Sequence, residues 1–250
     1  MAFDVSASAY DRFMGRYSVL LAPAFADLGR ARSGQRVLDV GAGSGALTAE
    51  LYERGVDVVA VEPSGQFVDA LRTRLPEVTV VAGAAEELPF AAAEFDASLA
   101  QLVVHFMDDP PAGIAEMRRV TRADGVVAAC VWDHGTGRGP LSPFWEAARA
   151  LDPTLSDESR MMGSNPGQLR QLFADAGLHD VEETALEVSV EHPTFEEWWE
   201  PFELGVGPAG AYVSRLEPEQ RNALREQCRS NLPRAPFSIA ARAWAARGLA

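Results

Sequence analysis

The sequence predicts a doubly wound α/β fold, a parallel sheet with helices on both faces, and three observations carry that prediction. Apolar, β-branched runs of strand length recur at residues 35–40, 57–61, 78–82, 95–100 and 126–132. Helical patterns separate them, which is the alternation of a parallel sheet. The first run, with Val37, Leu38 and Val40, breaks into Gly41, Gly43 and Gly45 just after Asp39. Strand, glycine loop and helix in that order form the nucleotide-binding opening of such a domain.

By spacing alone that opening is ambiguous. Gly41, Gly43 and Ala46 satisfy the dinucleotide fingerprint G-x-G-x-x-G/A, and glycine admits backbone close to any ligand because it has no Cβ. A nicotinamide-dependent oxidoreductase therefore stands beside other nucleotide-cofactor readings at this point.

Composition bounds the rest. A chain of 250 residues with 47% hydrophobic content supports one substantial core, read here as one domain with a cap. The formal charge of −14 comes from 36 acidic against 22 basic residues, all of the latter arginine. Such a surface disfavours DNA, RNA and anionic membranes as partners, and the lack of lysine removes Schiff-base chemistry. Cys130 and Cys228 make neither a disulfide framework nor a zinc site. No signal peptide is expected, because Asp4, Asp11 and Arg12 interrupt the N-terminus, and no apolar run approaches a membrane span. The expectation is a cytoplasmic protein without a metal, monomeric or homodimeric, acting on a small molecule.

In chain order, residues 3–17 read as a polar-aromatic leader, and Ser18 as the cap of a helix to about Ala31. A helix over 45–54 follows the glycine loop and stops at Gly55. After the second strand, Glu62, Pro63 and Ser64 end the strand and open a helix to Arg74. The third strand leads into an acidic loop, residues 83–90, and the fourth into an apolar loop, 101–107. Pro110 and Pro111 open a helix to about Thr121. Beyond Trp132 come short helices at 143–150 and 167–176, a strand at 181–190, a helix capped by Thr194 and Glu197, a helix at 218–230 and a last strand at 239–244. The stretch from His192 to Phe237 is longer than a sheet connection needs and reads as a lid.

Five blocks taken together, VLDVGAGSG, VVAVEPS, GAAEELPF, FDASLAQLVVHFMDD and EMRRVTRADGVVAACVWD, resemble the class I S-adenosylmethionine-dependent methyltransferases, in particular the ubiquinone/menaquinone-biosynthesis-like (type 11) group. The match covers about Tyr10 to Asp133, roughly half the chain. The resemblance implies a Rossmann-like, seven-stranded, mostly parallel sheet with the last strand antiparallel and a helical lid. It also implies a single methyltransferase domain over 1–250, with a cofactor core at 35–132 and cap segments at 133–180 and 192–236.

Residue by residue, Asp39 can accept from the cofactor's amino group, while the backbone from Gly41 to Gly45, Ala42 and Gly43 included, admits its amino-acid portion. Glu62, about 20 residues beyond Gly41, sits where a carboxylate takes both ribose hydroxyls, followed by Pro63. The resemblance puts Ala85 and Glu86 beside the adenine and Gln101 and Leu102 near the methionyl part. It likens Tyr10, Met14, Arg16 and Tyr17 to an N-terminal segment folded over the cofactor, with Arg16 on its carboxylate. S-adenosylmethionine is thus the expected cofactor.

His105 and His134, just past strands four and five, are the catalytic candidates, able to orient or deprotonate an acceptor. Asp133 reads as orienting a histidine or as a turn cap, with the cap favoured. Trp132, Phe144, Trp145, Met161, Met162, Trp198, Trp199 and Phe202 suggest an apolar or aromatic acceptor, or else the lid's own core. The expected reaction is methyl transfer to a small metabolite at an undetermined O, C or N atom. A nicotinamide oxidoreductase and a non-catalytic cofactor-binding regulator are the alternatives.

Overall fold

The computed structural model describes residues 6–250, so residues 3–5 of the expected leader, Asp4 among them, lie outside the described residues. Seven strands, β1 (Arg36–Val40), β2 (Asp57–Glu62), β3 (Thr79–Ala82), β4 (Phe95–Gln101), β5 (Thr121–Trp132), β6 (His179–His192) and β7 (Phe237–Leu249), form one sheet in the order β3-β2-β1-β4-β5-β7-β6. The first five pair in parallel. β7 runs antiparallel to both β5 and β6. This is the expected Rossmann-like, doubly wound sheet.

Strand alternation divides the core into two layers. Val37, Val58, Ala60, Ala128 and Cys130 face one side, against α2 (Arg16–Leu28), α3 (Ala46–Glu53) and α6 (Ser142–Leu151). Leu38, Val40, Val59, Val61, Val127 and Ala129 face the other, against α5 (Pro110–Val120) and α7 (Gln168–Asp175). Burial on both faces explains why these strands read as continuous apolar runs.

The N-terminal helix departs from expectation. Helical structure begins at α1 (Ala7–Tyr10), passes through a π-helical stretch, Asp11–Gly15, and continues without a break into α2. Its cap is Ser6, which accepts from the Ala9 amide at 3.2 Å. Ser18 is therefore interior, and its hydroxyl donates back to the Met14 carbonyl. Helix α4 (Gly65–Arg74) starts after Ser64 as expected, although that serine makes no side-chain cap bond. At α5, Asp109 accepts from the Ala112 amide, and the chain passes from helix to strand without a turn, so β5 starts at Thr121, five residues earlier than its apolar run.

The segment between β6 and β7 holds α8 (Phe195–Trp199), a 3-10 turn at Glu200–Leu204, α9 (Gly207–Arg215) and α10 (Pro218–Asn231). Of these, α9 was not legible, because Gly207, Pro208 and Gly210 mask its pattern. Thr194 caps α8 by accepting from the Glu197 amide at 3.1 Å, but Glu197's carboxylate turns to Arg16 instead of closing the box. The aromatic residues of this region are mostly core. Phe144 stacks on Phe202, centroids 4.4 Å apart, and both are fully buried with Trp199. Met162, by contrast, is 39% exposed. Of the cluster expected to meet an acceptor, Trp132 lines the cavity that holds His105 and His134, while Trp198 and Phe202 line a separate, smaller one beside Arg16 and Tyr17.

Candidate active site

At the carboxyl ends of β1, β2 and β4 lies a cavity of about 290 Å³, where an open α/β sheet binds ligands. The glycine loop forms one wall, and each of its three glycines does something different. All three have positive φ. A Cβ at Gly41 would come within 2.6 Å of Val103, and one at Gly45 would strike Leu71. Those two glycines serve packing. Gly43 alone is open, with nothing but the Gly41 carbonyl at 3.9 Å, so it is the position where bare backbone faces the cavity.

The adjoining wall is built at the end of β2. Glu62 is 5% exposed, accepts the Gly43 amide at 2.9 Å through Oε2, and accepts the Ser64 amide at 2.9 Å through Oε1. Burial pushes its carboxyl above the usual range, and the two amide bonds oppose that rise. Asp39 is also buried and accepts the Thr48 hydroxyl at 2.6 Å. Desolvation, opposed by Thr48 and reinforced by Glu62, pushes its carboxyl up to about 7.

The far end of the cavity comes from β3 and β4. Glu86 lines it while accepting the Asp108 amide at 2.8 Å. Gln101 donates to the Ser18 carbonyl at 3.1 Å, and its buried Oε1 is without a partner among the described residues. Leu102 has φ +63, unusual for a residue with a Cβ, and this turn swings Gln101 and Val103 to the cavity. Tyr10, Ala42, Pro63 and Ala85 complete the set of expected residues found there.

Three expected residues are elsewhere. Met14 lines a second, smaller cavity of about 30 Å³. Arg16 is engaged by Glu197 and lies 3.1 Å from His192 Nδ1, and Tyr17's hydroxyl is 3.1 Å from His192 Nε2. Both therefore fasten α2 to β6 and the lid, because the π-helical turn at 11–15 rotates residues 16 and 17 away from the first cavity.

The second cavity adjoins the first, sharing Tyr10, Leu102 and Phe106, and it brings His105 and His134 together with ring centroids 6.3 Å apart. Burial, followed by the neighbouring His134, pushes His105 down to about 3. Its Nδ1 is buried without a partner among the described residues. Glu158 shares this cavity with Phe13, Leu141 and Val206. Sequence reasoning missed it, since an acid in the polar run DESR carries no periodic signal. Asp133 does cap its turn, accepting from the Thr136 amide at 3.0 Å, and is paired with Arg242 at 2.7 Å. Among the described residues there is no group of three or more His, Cys, Asp or Glu side chains placed to hold a metal ion, and no helix long and apolar enough to cross a membrane.

The comparisons agree with one another. A family model described as a methyltransferase domain matches residues 38–129. An uncharacterized methyltransferase of Mycobacterium tuberculosis is 38% identical over 133 residues, 53% of this chain and 52% of that protein. A demethylmenaquinone methyltransferase of Renibacterium salmoninarum is 33% identical over 166 residues, 59% of this chain and 68% of that protein. The match thus spans about half the length of the first of these relatives. Among solved structures, a putative methyltransferase from an antibiotic biosynthesis pathway of Anabaena variabilis superposes with TM-score 0.62 at 18% identity, covering 93% of this chain and all of that one. A phosphoethanolamine N-methyltransferase of Haemonchus contortus, in complex with S-adenosylhomocysteine, gives TM-score 0.59 at 19% identity over 98% of this chain and 57% of that one.

Proposed function

We propose that this chain, which belongs to the class I methyltransferases of the type 11 group, transfers a methyl group from S-adenosylmethionine to a small, apolar or aromatic metabolite. The observation that carries the reading is the charge of the larger cavity. Asp39, Glu62, Glu86 and Asp108 line it, and no arginine or histidine does. A cavity whose acids face no basic lining residue favours a cationic nucleoside with hydroxyl, amine and ammonium donors, and disfavours the pyrophosphate of a nicotinamide dinucleotide.

The donor set fits. Glu62 would hold the ribose hydroxyls, with Gly43 giving backbone access, while Asp39 and the orphan oxygen of Gln101 would take the ammonium end. Glu86 and Ala85 would flank the adenine, and Tyr10, Pro63 and Leu102 would close the apolar walls. When bound, S-adenosylmethionine supplies an electrophilic sulfonium methyl that needs no acid to activate it. The chain's remaining tasks are then to align the acceptor and exclude water, which we assign to the second cavity with His105 and His134. Residues 35–132 act as the cofactor core, with 133–180 and 192–236 as the substrate cap. The acidic composition disfavours nucleic-acid and anionic-membrane partners, and the reading is of a cytoplasmic monomer or homodimer acting on a small molecule.

Mass spectrometry of the purified protein for co-bound S-adenosylmethionine or S-adenosylhomocysteine tests this, together with calorimetry against S-adenosylhomocysteine and NAD. Tight NAD binding with no binding of S-adenosylhomocysteine would overturn it.

A further inference from the structure

The second cavity holds a group that neither the glycine loop nor the histidines account for. Glu158 sits in a 3-10 turn, Glu158–Arg160, between α6 and α7, and is only 4% exposed. Its Oε2 accepts the Trp145 indole N–H at 2.7 Å, and its Oε1 lies 4.0 Å from His134 Nε2. That second distance is too long for a hydrogen bond. The turn itself is held firmly, since the Ser164 hydroxyl donates to the Glu158 carbonyl and Asp157 accepts the Ser159 amide.

Burying a carboxylate is costly unless its oxygens find donors. Trp145 satisfies one oxygen. The other faces a cavity walled by Phe13, Met14, Leu102, Phe106 and Trp132, with no arginine among its lining residues. His105 adds no positive charge, because its imidazole is neutral, and its Nδ1 is without a partner among the described residues. A cavity of this kind repels anions and selects for donors.

We propose that Glu158 is the acceptor-docking carboxylate: it selects a small molecule whose nucleophilic atom carries a proton, N–H or O–H, and with His134 it takes that proton. The inference rests on the methyltransferase reading and narrows it, leaving out carbon acceptors and carboxylates. In the step, a lone pair on the acceptor's nitrogen or oxygen forms a bond to the methyl carbon as the carbon–sulfur bond breaks. The pair from that bond stays on sulfur and discharges the sulfonium, and the acceptor's proton moves to Oε1 of Glu158, with His134 Nε2 4.0 Å away. At about 30 Å³ the cavity has room for the reacting end of such a molecule.

The test uses the full chain loaded with S-adenosylhomocysteine, as wild type, Glu158→Gln and Trp145→Phe. Ligand-observed NMR follows benzylamine, benzyl alcohol and benzoate, and calorimetry follows S-adenosylhomocysteine. Wild type should bind benzylamine or benzyl alcohol at least tenfold more tightly than benzoate, the tighter of the two identifying an amine or a hydroxyl acceptor. Glu158→Gln should abolish that preference while keeping S-adenosylhomocysteine affinity within threefold. Trp145→Phe, which keeps the carboxylate, should retain the order. Benzoate binding as well as the others to wild type, or an unchanged preference in Glu158→Gln, would overturn the proposal while leaving the methyltransferase reading intact. Failure of wild type to bind S-adenosylhomocysteine would instead remove that reading, and this inference with it.

Discussion

Glu62, at the end of β2, accepts the amide of Gly43 at 2.9 Å in the wall of the larger cavity, tying the second strand to the one open glycine of the first loop. A glutamine there keeps one acceptor but points its NH₂ at amides that are themselves donors. Glu62→Gln should therefore weaken S-adenosylhomocysteine binding by about 1–3 kcal/mol, the cost of leaving polar partners unpaired. Titration calorimetry measures this, and unchanged affinity would remove Glu62 from the cofactor site.

Asp39 gives a stability signature. With its carboxyl at about 7 in the folded chain and about 3.9 when unfolded, the native state binds more protons between those values. This contribution is full below pH 4 and is lost as pH rises through 7. Relative to Asp39→Asn, the wild type should lose unfolding free energy between pH 5 and pH 8 in urea titrations. A constant difference would place Asp39 in a more polar setting than its burial implies.

His105 has the opposite sign. Its folded value is pushed below the unfolded one, so its contribution is present above about pH 6.5 and declines as pH falls towards 3. The advantage of wild type over His105→Gln should narrow between pH 7 and pH 5, by about 2 kcal/mol. Because the imidazole stays neutral across that range, the turnover lost in the variant should be the same factor at pH 6 and pH 8. A factor that changes with pH would make His105 the titrating base.

Arg16 separates geometry from resemblance. Its guanidinium is held by Glu197 and His192, outside the larger cavity. Arg16→Ala should leave S-adenosylhomocysteine affinity within about threefold while lowering the melting midpoint, since Glu197 loses its partner. A tenfold loss of affinity would return Arg16 to the cofactor's carboxylate.

The parts of the site that were legible in the sequence are those set by local chemistry. Asp39, Gly43 and Glu62 belong to strand ends and a loop whose apolar runs and glycines declare themselves, and the two-sided burial of Leu38 or Val59 leaves an unbroken pattern. Gln101 and Glu86 needed the family's block order, because a polar residue in a loop looks solvated until the loop is folded. What stayed hidden depends on tertiary geometry. Gly41 and Gly45 look identical to Gly43 in sequence, yet they are spent on Val103 and Leu71. The π-helical turn at Asp11–Gly15, which sends Arg16 and Tyr17 to the lid, has no glycine or proline to announce it until Gly15. Glu158 acquires meaning only from Trp145 and His134, 13 and 24 residues before it in the chain.

The unbroken helix from Ala7 to Leu28 gives the molecule a shared doorpost. Tyr10 borders both cavities, Phe13 and Met14 border the second, and Leu21, Ala22, Phe25 and Ala26 are sunk in the core. The inner end is anchored, so any outward swing of the first turns unwalls both chambers together. Neither chamber has a door of its own on this side.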